Sequence, residues 1–130
     1  MKKILFSLLL FLLVGCSSIP NGFDKDKLES ETQMIIDLME DYQEEEVISR
    51  LRVDLQSLIS ADQLHQNLVT KYESVGAVKS ETSFTIGDTK DPQTDEVYAT
   101  VIAQVEHENG RSTYTISFNT DYECVGLYIK

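Results

Sequence analysis

The chain has 130 residues and is strongly acidic, because 22 aspartates and glutamates stand against 11 lysines and arginines and give a formal net charge of −11 at pH 7. A surface of this charge repels phosphate backbones, which argues against nucleic acid as a partner. The length is enough for one domain with a single hydrophobic core and too short for two.

The chain begins with a basic pair followed by an apolar run. Lys2 and Lys3 carry the positive charge, and residues 4–14 are apolar except for Ser7. Eleven helical residues reach about 16 Å, whereas the hydrocarbon core of a bilayer is roughly 30 Å thick. The run is therefore too short to remain as a membrane span and is typical of a secretory signal.

The tripeptide Leu13-Val14-Gly15 followed by Cys16 resembles the lipobox of bacterial lipoproteins. That resemblance implies recognition of Leu13, Val14 and Gly15 by the signal peptidase, acylation of the Cys16 thiol and cleavage before Cys16. The membrane is then an expected partner through the N-terminal lipid, because two acyl chains hold a protein stably where one does not. We expect an extracytoplasmic protein that is lipid-anchored to the cell membrane. The alternative is an ordinary secretory signal followed by a chance cysteine.

The sequence divides into three segments. Residues 1–15 are the predicted lipoprotein signal peptide, residues 16–23 the lipidated cysteine with a short tether, and residues 24–130 a single α+β domain. Removal of the signal peptide deletes two of the 11 basic residues and no acid, which leaves 9 basic and 22 acidic residues and a formal charge of −13. Once Cys16 is acylated, Cys124 has no partner for a disulfide, and packing is favoured over a reactive thiol.

Helices are predicted for the first half of the domain. The spacing of apolar residues predicts one helix over residues 24–42 and a second over residues 44–58. Ser60 is expected to cap a third helix, which Gly76 ends. The predicted inner face of this third helix carries Leu64, Leu68 and Tyr72.

A hairpin is the clearest feature of the second half, where the apolar period becomes two. Residues Glu108-Asn109-Gly110-Arg111 predict a type I′ turn, which fixes the register of the two strands. The predicted inner pairs are Val105 with Tyr114, Ala103 with Ile116, and Val101 with Phe118.

Two further strands complete a four-stranded antiparallel meander. A turn at Asp121-Tyr122 predicts a last strand in which Cys124 points away from the apolar face. Its predicted inner pairs are Phe118 with Val125, Ile116 with Leu127, and Tyr114 with Ile129. Residues 78–86 predict the first strand, with Phe84 and Ile86 on one side, and residues 87–95 a loop. The apolar face of the curved sheet is expected to pack against the helices.

Helices followed by a four-stranded meander resemble the cone-shaped nuclear-transport-factor-2-like (cystatin-like) architecture. The ending Phe118-Asn119-Thr120-Asp121-Tyr122-Glu123-Cys124-Val125-Gly126-Leu127 also looks like a family of uncharacterised bacterial domains, in which a phenylalanine, an acidic turn and a Val-Gly-Leu-like strand close the fold. Tyr122 and Cys124 depart from the glycine and the aliphatic residue often found there. That family occurs in lipoproteins and ahead of hydrolase domains, and its function is unassigned, so the resemblance brings no catalytic residue.

The sequence contains candidate catalytic and metal-binding residues, but their predicted surroundings favour neither acid–base catalysis nor metal binding. Histidine is the usual acid–base residue near neutral pH, but His107 adjoins two glutamates at a predicted solvated hairpin end, and His65 is expected on a helix surface. The carboxylates of residues 88–96 are of the type that binds calcium, yet their spacing does not match a calcium loop. We predict no cofactor and no metal site.

A ligand pocket is the remaining candidate site. Tyr72, Tyr114 and Phe118 are predicted to border a space between the sheet and the helices, the usual place for a ligand. The favoured function is a non-catalytic binding or interaction module for an unknown protein or small-molecule ligand. The alternatives are a small acid–base enzyme that uses a cavity histidine or carboxylate, and an accessory subunit of a cell-envelope complex that docks through an edge strand or apolar patch. A histidine buried in a cavity beside an acid would favour the enzyme. The sequence predicts no particular oligomeric state.

Overall fold

The structure, a computed structural model, describes residues 19–130. The predicted signal peptide and Cys16 lie outside the described residues. In chain order the elements are α1 (Lys25–Glu40), α2 (Glu44–Ser49), a 3₁₀ helix (Val53–Leu58), α3 (Ala61–Val75), β1 (Ser83–Lys90), β2 (Val97–His107), β3 (Gly110–Phe118) and β4 (Cys124–Ile129). The strands form an antiparallel sheet in the order β1-β2-β3-β4, so the predicted α+β class and meander are confirmed.

Side-chain caps explain where α1 and α3 begin. The backbone N–H of Asp26 donates to the Asp24 side chain at 2.9 Å, which caps α1. Ser60 and Gln63 form a reciprocal capping box at α3, with N···O distances of 3.1 and 3.2 Å. Gly76 follows α3 with a φ of 77°, a conformation that glycine adopts without a steric penalty. The predicted start and end of this helix are confirmed.

The predicted continuous helix over residues 44–58 is wrong in its middle. After α2 the chain extends beside β4, where Leu51 forms a parallel bridge with Cys124. Arg52 N–H donates to the Cys124 carbonyl, and Cys124 N–H donates to the Arg50 carbonyl, both at 2.9 Å. These bonds to the sheet replace helical ones, and the chain then resumes as the 3₁₀ helix.

The β2–β3 hairpin forms, but its predicted register and turn type are wrong. His107 pairs with Gly110, so Glu108 and Asn109 make the turn, and neither Asn109 nor Gly110 has the positive φ that a type I′ turn requires. Packing against α3 explains the difference. Asn109 N–H donates to the Val75 carbonyl at 2.8 Å, and a Cβ added at Gly110 would lie 3.1 Å from the Val75 side chain.

The predicted inner face of this hairpin is nevertheless confirmed. The register differs from the prediction by two residues, and a shift of two preserves the face of every side chain. The observed pairs are Val101 with Ile116, Ala103 with Tyr114, and Val105 with Ser112. The buried inner side chains are Val101, Ala103, Val105, Tyr114, Ile116 and Phe118.

A register shift at the start of β4 turns Cys124 toward the core. Two predicted pairs are confirmed, Ile116 with Leu127 and Tyr114 with Ile129. The third is wrong, because the ladder is irregular between Ser117 and Phe118 and places Phe118 opposite Cys124 instead of Val125. Cys124 is therefore buried and not outward-facing as predicted, and its packing role is confirmed.

Strand β1 begins and ends later than predicted. The prediction placed a strand at residues 78–86 and a loop at 87–95, whereas the ladder with β2 continues to Lys90. The hydroxyl oxygens of Thr89 and Thr100 lie 2.6 Å apart across this extension and support the pairing. Ile86 is buried on the inner side, as predicted.

The described part of the predicted tether lies against the domain. Ile19 and Phe23 pack on the hydrophobic core, and the Phe23 ring contacts the Tyr122 ring edge-on at 5.8 Å. Asp24 N–H donates to the Tyr122 hydroxyl at 2.8 Å, and the Lys27 ammonium lies 4.4 Å from the same ring. These contacts hold Tyr122 at a φ of 60°, in the position where the resembling family often has a glycine.

The core lies between α1, α3 and the inner face of the sheet. Helix α1 contributes its buried apolar stripe, Leu28, Ile35, Ile36 and Met39. Helix α3 contributes Leu64 and Leu68, which lie over β3. In the described part of the chain, no helix is both long and apolar enough to cross a membrane.

Candidate functional site

An open groove lies between α3, the 3₁₀ helix and the edge strand β4, and we call it the β4 groove. Its cavity volume is about 760 Å³, within the range of about 300–1,000 Å³ that is typical of small-molecule sites. The aliphatic side chains that line it are Leu51, Leu55, Leu58, Ile59, Leu64, Val125, Leu127 and Ile129.

The groove exists because the helices cover β3 and leave β4 only half covered. Leu127 and Ile129 face the same side of the sheet as their β3 partners, but they are half-buried where those partners are fully buried. The 3₁₀ helix lies beside this edge and contributes no buried residue. Leu58 is 74% exposed at the rim.

One wall of the groove is polar and belongs to α3. Asn67, Thr70, Lys71 and Ser74 line it. Their spacing of three, four and seven residues places them on one face of the helix. The lining includes a cation and no acidic residue, although acids outnumber bases two to one in the whole chain. The groove is therefore amphipathic, with apolar walls and one polar, positively charged wall.

The three residues predicted to border a pocket lie elsewhere. Tyr114 and Phe118 are completely buried in the core, and Tyr72 is half-buried beside them. The hydroxyl oxygens of Tyr72 and Tyr114 are 2.9 Å apart, and burial raises the pKa of both groups. The structure thus brings Tyr72 and Tyr114 together, but none of the three residues lines the β4 groove.

His107 is buried, and its predicted place at a solvated hairpin end is wrong. Only 4% of the residue is exposed. Nδ1 lies 2.9 Å from the Gly76 carbonyl, and Nε2 lies 2.8 Å from the Ser112 hydroxyl. Because a carbonyl only accepts, Nδ1 donates to Gly76, and Nε2 shares a hydrogen bond with the Ser112 hydroxyl. His107 therefore joins the end of α3 to the hairpin.

The other titratable candidates are at the surface. The His65 side chain is 49% exposed, as predicted, and its Nδ1 lies 3.2 Å from a carboxylate oxygen of Glu44. In the acidic loop, the Asp95 carboxylate lies 3.9 Å from the Lys90 ammonium, and both side chains are exposed. Within residues 19–130, no group of three or more histidine, cysteine, aspartate or glutamate side chains is arranged to hold a metal ion.

A second, more acidic recess lies between α1 and β1. Its volume is about 460 Å³, and its lining includes the carboxylates of Asp37, Glu40 and Glu81. Burial raises the pKa of the Glu40 carboxyl, and the neighbouring Asp37 raises it further. The recess concentrates negative charge, in contrast to the β4 groove.

Sequence reasoning did not identify the residues of the β4 groove. The apolar spacing predicts a continuous helix that carries Leu55 and Leu58, and the predicted register places Leu127 on the inner face of the sheet. No local signal marks them, because the end of α2 at Ser49 goes with the bridge between Leu51 and Cys124 and not with the apolar spacing.

Comparison with known proteins gives a family and a fold. A family model described as "Protein of unknown function (DUF3887)" matches residues 32–127. An NMR structure of a protein from Ruminococcus gnavus ATCC 29149 is similar, with a TM-score of 0.68 and 23% sequence identity over 87% of this chain and 96% of that one. Comparison with curated proteins found no match.

Proposed function

The chain belongs to this family of proteins of unknown function (DUF3887), and we propose that it is a non-catalytic, membrane-anchored extracytoplasmic binding module whose ligand occupies the β4 groove. The observation that carries the proposal is the half-buried apolar surface of Leu127 and Ile129, in a groove of about 760 Å³. Apolar walls with a few polar groups are the usual composition of a ligand site.

The anchoring part of the proposal is supported by the lipobox-like tripeptide and by the packing of the first described residues. Ile19 and Phe23 lie against the core, and Phe23 contacts Tyr122 in the β3–β4 turn. Ile19 is three positions after Cys16 in the sequence, so their Cα atoms are at most about 11 Å apart. A lipid on Cys16 would therefore hold this end of the domain near the membrane surface.

We also propose that the domain has a cone-shaped fold. Helices followed by a four-stranded meander, with a groove between the two layers, support the cone-shaped nuclear-transport-factor-2-like (cystatin-like) architecture. That architecture is widely used to present a concave surface, although a fold does not by itself define a function.

The geometry of the two histidines supports binding over acid–base catalysis, because His107 is buried and interacts electrostatically with Glu40 but does not line the recess that Glu40 borders. A general base needs a ring nitrogen within reach of a substrate proton. Both nitrogens of His107 are engaged within the fold, by Gly76 and Ser112. His65 faces solvent beside Glu44.

A neutral apolar fluorescent dye, N-phenyl-1-naphthylamine, tests the groove. Leu127→Asp places a charge on the half-buried groove wall, and we expect it to weaken dye binding at least tenfold. Ile102→Asp is the matched control, because Ile102 is also a partly exposed apolar strand residue but lies on the opposite face of the sheet. Leu58→Ser, at the exposed rim, is the second groove variant should Leu127→Asp fail to fold. Equal binding by groove and control variants would contradict the proposal.

Mass spectrometry of the protein isolated from membranes tests the anchor. We expect a mature chain that begins at Cys16 and carries the mass of a diacylglycerol group, and a Cys16→Ala variant that accumulates as the unprocessed precursor. Normal processing or release of the variant would refute the lipid anchor and leave an ordinary secretory signal as the explanation.

A further inference from the structure

The two ends of the β4 groove differ in chemistry. Helix α3 runs along the groove from Leu64 to Ser74, a length of about 15 Å. Leu64 marks the end where the 3₁₀ helix contributes leucines, and this end is apolar. Lys71 and Ser74 mark the other end, where β4 finishes at Ile129. A ligand that follows the groove therefore meets apolar side chains at one end and a cation at the other.

Among residues 19–130, Lys71 differs from the other basic residues because it is half-buried and outside every ion pair, whereas the other unpaired lysines, Lys27, Lys79 and Lys130, are exposed. Five basic side chains form ion pairs with acids, namely Lys25, Arg50, Arg52, Lys90 and Arg111. The half-buried Lys71 is in none of the ion pairs among residues 19–130. In a chain with a net charge of −11, an acid-free groove around a lysine is complementary to an anionic group.

We infer that the occupant of the β4 groove is a single-chain carboxylate amphiphile of the fatty-acid class, with its carboxylate at Lys71 and its chain directed toward Leu58. This inference rests on the proposed function of the groove. The amide of Asn67 supplies a further polar contact along the same wall, whereas the Ser74 hydroxyl already donates to the Lys71 carbonyl at 2.6 Å. A groove of about 15 Å along α3 matches an extended chain of roughly twelve carbons.

A series of fatty acids of increasing length tests the apolar end. Isothermal titration calorimetry is performed with six- to fourteen-carbon acids below their critical micelle concentrations. We expect affinity to rise about two- to fourfold per methylene, because each methylene leaves water, and to level off near twelve carbons, when the groove is filled. Affinity that is independent of chain length would overturn the inference.

Substitution of Lys71 tests the charged end. Lys71→Met keeps the length of the side chain and removes its charge, and Lys79→Met is the matched control because Lys79 is exposed and outside the groove. We expect Lys71→Met to weaken decanoate binding about tenfold and to leave decanol binding unchanged. Lys79→Met should change neither ligand.

The outcomes separate this inference from the proposed function. Equal binding of decanoate and decanol by the unmodified protein, or an unchanged decanoate affinity in Lys71→Met, would overturn the carboxylate assignment. The groove would then hold an uncharged apolar occupant, such as a peptide segment. Failure of both ligands and of the neutral dye to bind would contradict the groove itself.

Discussion

Strands β3 and β4 are neighbours in one sheet and carry similar apolar residues on its inner face, yet the helices cover them unequally. Ile116 on β3 is completely buried, whereas its partner Leu127 on β4 is half-buried and lines the groove. The difference arises because the chain extends at Leu51 and continues at the edge as a 3₁₀ helix that contributes no buried residue. Paired residues on one face of the sheet can therefore lie in the core on one strand and line the groove on the next.

The largest expected difference is between Ile116→Ala and Leu127→Ala. We expect Ile116→Ala to lower the free energy of unfolding by about 3 to 4 kcal/mol, because the substitution leaves a cavity at a fully buried site in the core. Leu127→Ala should cost about 1 kcal/mol, since its side chain keeps contact with water in the folded state. Urea denaturation measures both values. Equal losses would mean that β4 belongs to the core and that the groove is closed.

The next effect separates the two histidines. His107→Ala removes the partners of the Gly76 carbonyl and the Ser112 hydroxyl in a buried site, and we expect a loss of about 3 kcal/mol. His65→Ala should cost less, about 1 kcal/mol, because the His65 side chain is 49% exposed although its partner Glu44 is only 12% exposed. Thermal unfolding of both variants tests this, and a large loss in His65→Ala would show that the surface pair is structural.

Cys124 tests where the core ends and the groove begins, because it is the buried first residue of β4. Burial raises the pKa of its thiol to about 11, from an ordinary value of 9.0. As the pH rises through 9, the thiol of the unfolded chain loses its proton while the folded one keeps it, so stability falls between pH 9 and pH 11. The full effect is at most about 2 to 3 kcal/mol.

Comparison with Cys124→Ala isolates this contribution from that of the buried tyrosines. The variant should lose less stability than the unmodified protein between pH 9 and pH 11, as measured by urea denaturation at each pH. Identical pH profiles would show that the thiol is accessible to water, and Cys124 would then belong with the groove residues.

The smallest effect on stability is expected at the rim. Leu58→Ser should change the free energy of unfolding by less than about 0.5 kcal/mol, because the side chain is 74% exposed. The same variant should still weaken dye binding to the groove. A loss of stability comparable to that of Leu127→Ala would indicate that the 3₁₀ helix is part of the core.

The sequence pattern correctly predicted those parts of the fold that depend on residues close together in the chain. Ser60 caps α3 and Gly76 ends it, as predicted, and the alternation of residues 101–105 and 114–118 identified the inner face of the sheet. The hairpin register was predicted incorrectly because it depends on a distant contact, the packing of Asn109 and Gly110 against Val75.

The candidate site was less predictable than the fold for the same reason. The groove forms where α2 stops, and the stop depends on backbone hydrogen bonds between the segment around Leu51 and Cys124. An apolar spacing that continues through Leu55 and Leu58 favours a longer helix, so no local pattern reveals the uncovered edge. Tyr72 and Tyr114 are predicted to border a pocket, but their hydroxyl oxygens lie 2.9 Å apart within the fold and neither residue lines the groove.

The most direct test of the account is a map of backbone amide shifts in ¹H–¹⁵N spectra of the protein titrated with decanoate. We expect the largest changes in β4 and along the polar wall of α3, with the β1 strand and the Glu108–Asn109 turn unaffected. Shifts that concentrate at the acidic recess around Glu40 and Glu81, or on the outer face around Ile102, would contradict the assignment of the β4 groove as the ligand site.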